Sequence, residues 1–210
     1  MTSDALMNNY GTRKITLTRG KGSWVWDDRG NCYLDAISGI AVCGLGHAHP
    51  AVTKAIADQA ATLSHCSNLF NIPNQEALAE KLRDLSGMDK MFFCNSGAEA
   101  NEAAIKLARL LGNKRGIAEP TIIVLENAFH GRTLATLTAT GNRKVQAGFE
   151  PLVRGFVRAP YDDLESLRNI AKNNRNVVAV LMEPIQGEGG IRTPSADYLP
   201  GLRQLSQAQL

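Results

Sequence analysis

The segment Phe92-Phe93-Cys94-Asn95-Ser96-Gly97-Ala98-Glu99-Ala100-Asn101-Glu102 carries the strongest chemical signal in the chain. An apolar run, Met91–Cys94, gives way through small residues to an amphipathic run, Ala98–Leu111, so a strand is expected to turn tightly into a helix. The first N–H groups of such a helix have no partner within it and stand at the positive end of its dipole, which suits a phosphate dianion. Ser96 and Glu99 also have the spacing of a capping box, and a well-capped helix with no ligand accounts for the same residues.

Two further segments have the same character. After the apolar run Thr121–Leu125 comes Glu126-Asn127-Ala128-Phe129-His130-Gly131-Arg132-Thr133. Loops that follow neighbouring strands of a parallel sheet converge at its carboxyl edge, which would bring Phe129 toward a ligand whose phosphate sits at Gly97 and Ala98. Phe129 then reads as a stacking face for a planar heteroaromatic group or as a buried core aromatic. After Val177–Met182 comes Glu183-Pro184-Ile185-Gln186-Gly187-Glu188-Gly189-Gly190, whose two carboxylates and three glycines fit a polar, close-approach site or a solvated loop.

The elements that position these loops alternate. From Lys90 onward, short apolar runs at 91–94, 121–125, 156–159 and 177–182 are separated by amphipathic runs at 98–111, 132–140 and 164–173, and a last helix is expected over Tyr198–Leu205. That order implies an α/β fold, a mostly parallel sheet covered by helices, with the alternation unfinished at Leu210. Upstream, Ser23–Asp27 and Asn31–Leu34 flank Asp28-Arg29-Gly30 as a hairpin, and helices are expected from Pro50 to about Ala61 and from Pro73 to Leu85, the latter closed by Gly87. Residues 1–87 are therefore taken as a small N-terminal β/α segment with linker helices, and residues 88–210 as the start of a large domain.

Composition excludes several classes. The 23 basic and 20 acidic residues are spread evenly, so no nucleic-acid or membrane-surface partner is indicated. No 18-residue apolar stretch and no basic, apolar leader occurs, and a cytoplasmic location is expected. Cys32, Cys43, Cys66 and Cys94 form no Cys-x-x-Cys pair and no metal-ligand spacing with the four histidines, so reduced, mostly buried thiols are expected and no metal. A nucleotide-binding dehydrogenase is disfavoured because no Gly-x-Gly-x-x-Gly joins a strand to a helix.

Five stretches in order carry a resemblance: Arg19-Gly20-Lys21-Gly22-Ser23 with Val25-Trp26-Asp27, Gly39 through Pro50, Asn95 through Ala103, Phe129-His130-Gly131-Arg132-Thr133, and Glu183 through Gly190. Together they resemble the class III (ω-amino) aminotransferases, nearest to the acetylornithine type, from Tyr10 to Leu205. The resemblance implies a fold-type I large domain binding pyridoxal 5'-phosphate in a homodimer that exchanges an amino group between N-acetylornithine and 2-oxoglutarate in arginine biosynthesis. It places Ser96, Gly97, Ala98 and Phe129 in the cofactor site, with Gly97 and Ala98 at the phosphate and Phe129 on the pyridine ring. Arg132 would pair with a substrate carboxylate through its bidentate fork, the alternative being a surface or helix-start arginine. Glu188 resembles the family's gate glutamate, which exchanges partners between the two substrates. His130 is read as a supporting polar contact, and His47 and His49 as structural.

The family also needs a Schiff-base lysine and a carboxylate opposite the ring nitrogen. None of the nine lysines stands at a matching position, and the lysine is expected beyond residue 210, so this chain alone is expected to be inactive. Other readings are an ω-aminotransferase acting on ornithine, succinylornithine, succinyldiaminopimelate or 4-aminobutyrate, and a truncated non-catalytic chain that binds a full-length partner.

Overall fold

In the computed structural model, which describes residues 5–209, the chain divides into two compact units, Met1–Leu85 and Ser86–Leu210. The first unit contains an antiparallel meander of β1 (Leu17–Lys21), β2 (Trp24–Asp27) and β3 (Cys32–Leu34). The hairpin between β2 and β3 lies where expected, and Gly30 supplies the positive φ of +84° that its turn requires. β1 was not anticipated, because Leu-Thr-Arg-Gly-Lys shows no apolar alternation; its Arg19 guanidinium instead lies 3.9 Å from the centre of the Trp26 ring.

Asp27 organises this turn. Its Oδ1 accepts from the N–H groups of Arg29 at 3.0 Å and Asn31 at 2.8 Å, and its Oδ2 from Asn31 Nδ2 at 2.8 Å and the Tyr33 hydroxyl at 2.9 Å. These donors, the Asn31 side chain foremost, hold the carboxyl down at about 2 against an ordinary 3.8. A depressed carboxyl stabilises the fold fully above its unfolded pKa and loses that contribution as pH falls through the folded one. The β signal of this unit is therefore expected to persist through pH 3.8 and to fade toward pH 2. Asp27→Asn is expected to remove that acid step, which circular dichroism across the range would show.

His47 packs within the fold: its Nε2 lies 2.6 Å from Asp35 Oδ2, and a Cβ at Gly20 would stand 2.6 Å from its Cγ. The short α1 (Ser38–Ala41) precedes α2 (Pro50–Thr62), with Pro50 in the first turn, and α3 (Pro73–Ser86) ends at Gly87, whose φ is +68°.

The second unit contains α4 (Gly97–Lys114), β4 (Thr121–Leu125), α5 (Leu134–Ala139), α6 (Arg143–Gln146), β5 (Phe156–Ala159), α7 (Leu164–Asn173), β6 (Val177–Leu181) and α8 (Tyr198–Gln209). The strands form a parallel sheet in the order β5-β4-β6. β4 is central and buried on both faces, which is why its sequence is an unbroken apolar run. Ile123 and Leu125 pack with Leu167 of α7 and Tyr198 and Leu205 of α8, while Ile122 and Val124 pack with Ile105 of α4 and Ala139 of α5.

Two expectations are corrected. Met91–Cys94 is not a strand: among the described residues no strand pairs with it, and without a ladder partner it stays irregular, with Phe92 71% exposed. The cysteines are all free, but none is buried; Cys32 and Cys94 are exposed, and Cys43 and Cys66 half-buried, because they lie on edge or loop segments rather than in the sheet core. Among the described residues no helix is long and apolar enough to cross a membrane, and no group of His, Cys, Asp and Glu has the arrangement of a metal site.

Candidate active site

α4 begins where small residues give its N-cap room. Ser96 is extended, its Oγ accepts the Glu99 N–H at 3.2 Å and donates to Glu99 Oε2 at 3.1 Å. The Glu99 carboxylate also accepts the Asn95 N–H at 2.8 Å and Asn95 Nδ2 at 3.2 Å, and these bonds, that of the Asn95 side chain first, lower its pKa. The Ala100 N–H returns to Ser96 O at 3.0 Å. The N–H groups of Gly97 and Ala98 have no hydrogen-bond partner among the described residues. The cap and the anion site are thus compatible: the cap uses the third amide of the helix and leaves the first two.

The loop after β4 is anchored to α4. Asn101 Nδ2 donates to His130 O at 2.8 Å, and the Thr133 hydroxyl donates to the Glu102 carboxylate. Gly131, at φ +128°, allows close approach: a Cβ there would stand 2.6 Å from Thr136 Oγ1 and 2.9 Å from Ala98 Cβ. The result is a cavity of about 600 Å³, bounded by Gly97, Ala98 and Asn101 on α4 and by Phe129 through Thr133 on the loop. The size is ordinary for a small-molecule site. Phe129 is 37% exposed, so it is not a core aromatic, and Arg132 lines the same cavity.

The loop after β6 is fastened to the loop after β4. Glu183 Oε2 accepts the Phe129 N–H at 2.9 Å, and Gln186, fully buried, donates from Nε2 to Glu126 O at 2.8 Å. Gly189 approaches Asn127 O so nearly that a Cβ would stand 2.8 Å from it. Between the two loops lies a second cavity of about 240 Å³, lined among others by Asn127, Phe129, Asn142 and Glu188. Phe129 belongs to both cavities.

The structure therefore brings Gly97, Ala98, Phe129 and Arg132 together, and places Glu188 in the smaller cavity, which Phe129 also lines. Ser96 does not line either cavity; its hydroxyl is occupied by the cap. His130 is 4% exposed, its N–H donates to Thr140 Oγ1 at 3.0 Å, and its Nε2 has no partner among the described residues. Burial first, and the positive Arg158 second, push its pKa down to about 4.

Three groups that the sequence analysis did not single out complete the scaffold. Arg158 of β5 donates to Thr138 O at 2.9 Å and Ala139 O at 3.4 Å, tying the end of α5 to the sheet. Gln146 Nε2 donates to the carbonyls of Leu137, Thr138 and Thr140. Glu183, at the start of the Glu183–Gly190 segment, is the third. A charge inside the short apolar run Phe-Val-Arg-Ala was the available signal for Arg158; nothing in the local pattern pointed to Gln146.

Comparison with known proteins decides the family. The family description "Aminotransferase class-III" matches residues 6–209. The chain belongs to the class-III aminotransferases. This class-III chain is 62% identical over 200 residues to an acetylornithine aminotransferase of Nitrosomonas europaea, covering 95% of the chain and 51% of that relative. It is 53% identical over 205 residues to the acetylornithine aminotransferase of Thermosynechococcus vestitus, of which it covers 50%. The chain thus spans about half the length of the curated relatives it matches. Among solved structures it superposes on an ornithine aminotransferase of Toxoplasma gondii with a TM-score of 0.92 at 31% identity, covering 97% of this chain and 49% of that one. On an N-acetylornithine aminotransferase of Stenotrophomonas maltophilia the TM-score is 0.80 at 35% identity, over 96% and 50% of the two chains. The parallel sheet with flanking helices is thus the fold of aminotransferases.

Proposed function

We propose that this class-III chain supplies the phosphate cradle, the stacking face and a substrate-carboxylate contact of a pyridoxal-phosphate-dependent transaminase. Its proposed amino donor is N-acetylornithine and its acceptor 2-oxoglutarate, as part of arginine biosynthesis. The carrying observation is the single cavity that joins two unused helix amides, Gly97 and Ala98, to the exposed ring of Phe129 and the guanidinium-bearing Arg132.

The cavity fits the cofactor on chemical grounds. Paired N–H groups at a helix start suit its phosphate, and a half-exposed aromatic ring suits its planar heterocycle. When bound, pyridoxal phosphate supplies an electron sink that makes a C–H bond beside the amino group acidic. The chain's own residues hold and orient. Gly97 and Ala98 fix the phosphate end, Phe129 covers one ring face and excludes water from it, Arg132 holds a substrate carboxylate, and Glu188 sets which substrate carboxylate is tolerated in the adjoining recess. A homodimer is part of the proposal, supported by large apolar side chains left in solvent, such as Leu69 at 86% and Phe70 at 67% exposure.

The 62% identity to an acetylornithine aminotransferase favours N-acetylornithine, while the close superposition on an ornithine aminotransferase favours ornithine as the second reading. The test is a transamination assay on the protein made from the complete reading frame, with both donors and 2-oxoglutarate. A higher kcat/KM for N-acetylornithine supports the proposal; a preference for ornithine replaces it with the second reading; no transfer from either, with the cofactor bound, rejects both.

A further inference from the structure

We infer that Glu183 is a positioning residue whose carboxylate sets the Phe129 ring, by gripping the Phe129 main-chain N–H across the gap between the loops after β6 and β4; this rests on the proposal that Phe129 stacks on the cofactor. β4 ends at Leu125, and with the ladder gone the chain turns at Asn127, whose φ is +59°. The next three amides need other acceptors. Ala128 N–H reaches back to Leu125 O at 3.4 Å, and His130 N–H finds the Thr140 hydroxyl at 3.0 Å. Between them, Phe129 N–H donates to Glu183 Oε2 at 2.9 Å, a contact spanning 54 residues of sequence and the one charge-assisted bond of the three.

That bond matters because packing does not fix the ring. Phe129 is more than a third exposed and stands between two cavities, so its placement follows the direction of its own backbone. Glu183 leaves β6 two residues after Leu181, at the same carboxyl edge, and the neighbouring Gln186 makes a second bridge to Glu126 O at 2.8 Å. The two carboxylates of the Glu183–Gly190 loop thereby divide their work. Glu188 lines the smaller cavity, and Glu183 faces the main chain of the loop that carries the ring.

The test uses Glu183→Ala and Glu183→Gln in this chain. Without cofactor, amide exchange at Phe129 is expected to quicken by about tenfold in the alanine variant and less in the glutamine variant, which keeps an acceptor oxygen. Exchange at His130 and the urea midpoint serve as references and should move little. Pyridoxal phosphate, titrated by its induced circular dichroism, is expected to bind about tenfold more weakly to Glu183→Ala, while inorganic phosphate keeps its affinity because Gly97 and Ala98 are untouched. Unchanged exchange at Phe129 overturns the inference, as does an equal weakening of both ligands, which would mean general loosening. Should the unaltered chain take up no pyridoxal phosphate, the proposed cofactor site fails for this chain, and exchange at Phe129 still decides whether Glu183 holds it.

Discussion

Replacing Arg132 with alanine in the protein made from the complete reading frame is expected to lower kcat/KM for N-acetylornithine on the order of a hundredfold, from the loss of about 3 kcal/mol of charge-assisted bonding. The loss should appear mainly in KM, because a substrate carboxylate held at a distance from the reacting carbon contributes about equally before and during the chemical step. Retention of pyridoxal phosphate should change little, since the proposed phosphate contacts are the amides of Gly97 and Ala98 on α4, whereas Arg132 belongs to the loop after β4. Arg132→Lys should fall between, keeping charge and losing the planar fork. Identical kinetics in wild type and Arg132→Ala would remove the assigned role and leave Arg132 as an ordinary loop residue.

The second large effect is on stability in mild acid. His130 is buried, with its pKa depressed from 6.5 to about 4. Between those values the unfolded chain takes up a proton that the folded chain refuses, so stability falls as pH drops from 6.5 and the loss is complete below about 4. At about 1.4 kcal/mol per pKa unit the loss is on the order of 3 kcal/mol, a large share of a marginal folding free energy. Urea midpoints measured at intervals from pH 7 to pH 4 should therefore slope downward in the wild type and flatten in His130→Gln. A flat wild-type profile, or an equal slope in the variant, would show that another group carries the acid sensitivity.

Much of this architecture was readable from residue order alone. β4, β5 and α7 lie where the apolar and amphipathic runs put them, because strands buried on both faces and helices with one apolar face leave strong patterns. Gly97, Ala98 and Phe129 were expected at one place from the order of the segments, and Arg132 from the resemblance; the structure sets all four around one cavity, although the residues before Gly97 form no strand. Other features depend on three-dimensional partners that a local pattern does not encode. Met91–Cys94 has the composition of a strand, but pairing is a property of two segments, and no second one is present among the described residues. β1 is the reverse case, a polar run made into a strand by its neighbour β2. The bonds of Glu183 and Arg158 to distant main-chain groups are likewise contacts across space, invisible to spacing along the chain.

The two-sided burial of β4 also bears on how this sheet finds its alignment. An alternating strand is locked in place because a slip of one residue would turn its polar side chains inward. Thr-Ile-Ile-Val-Leu offers no such penalty: moved by one position, it still presents aliphatic groups to both layers. Discrimination between the right and the shifted alignment must then come from groups that recognise specific places along the strand's end. Gln186 grips the Glu126 carbonyl and Glu183 grips the Phe129 amide, one and four residues past β4, and a slipped strand would carry both targets out of reach. The polar clasps at the carboxyl edge are thus placed to favour one β4–β6 alignment, besides joining the loops that follow the two strands.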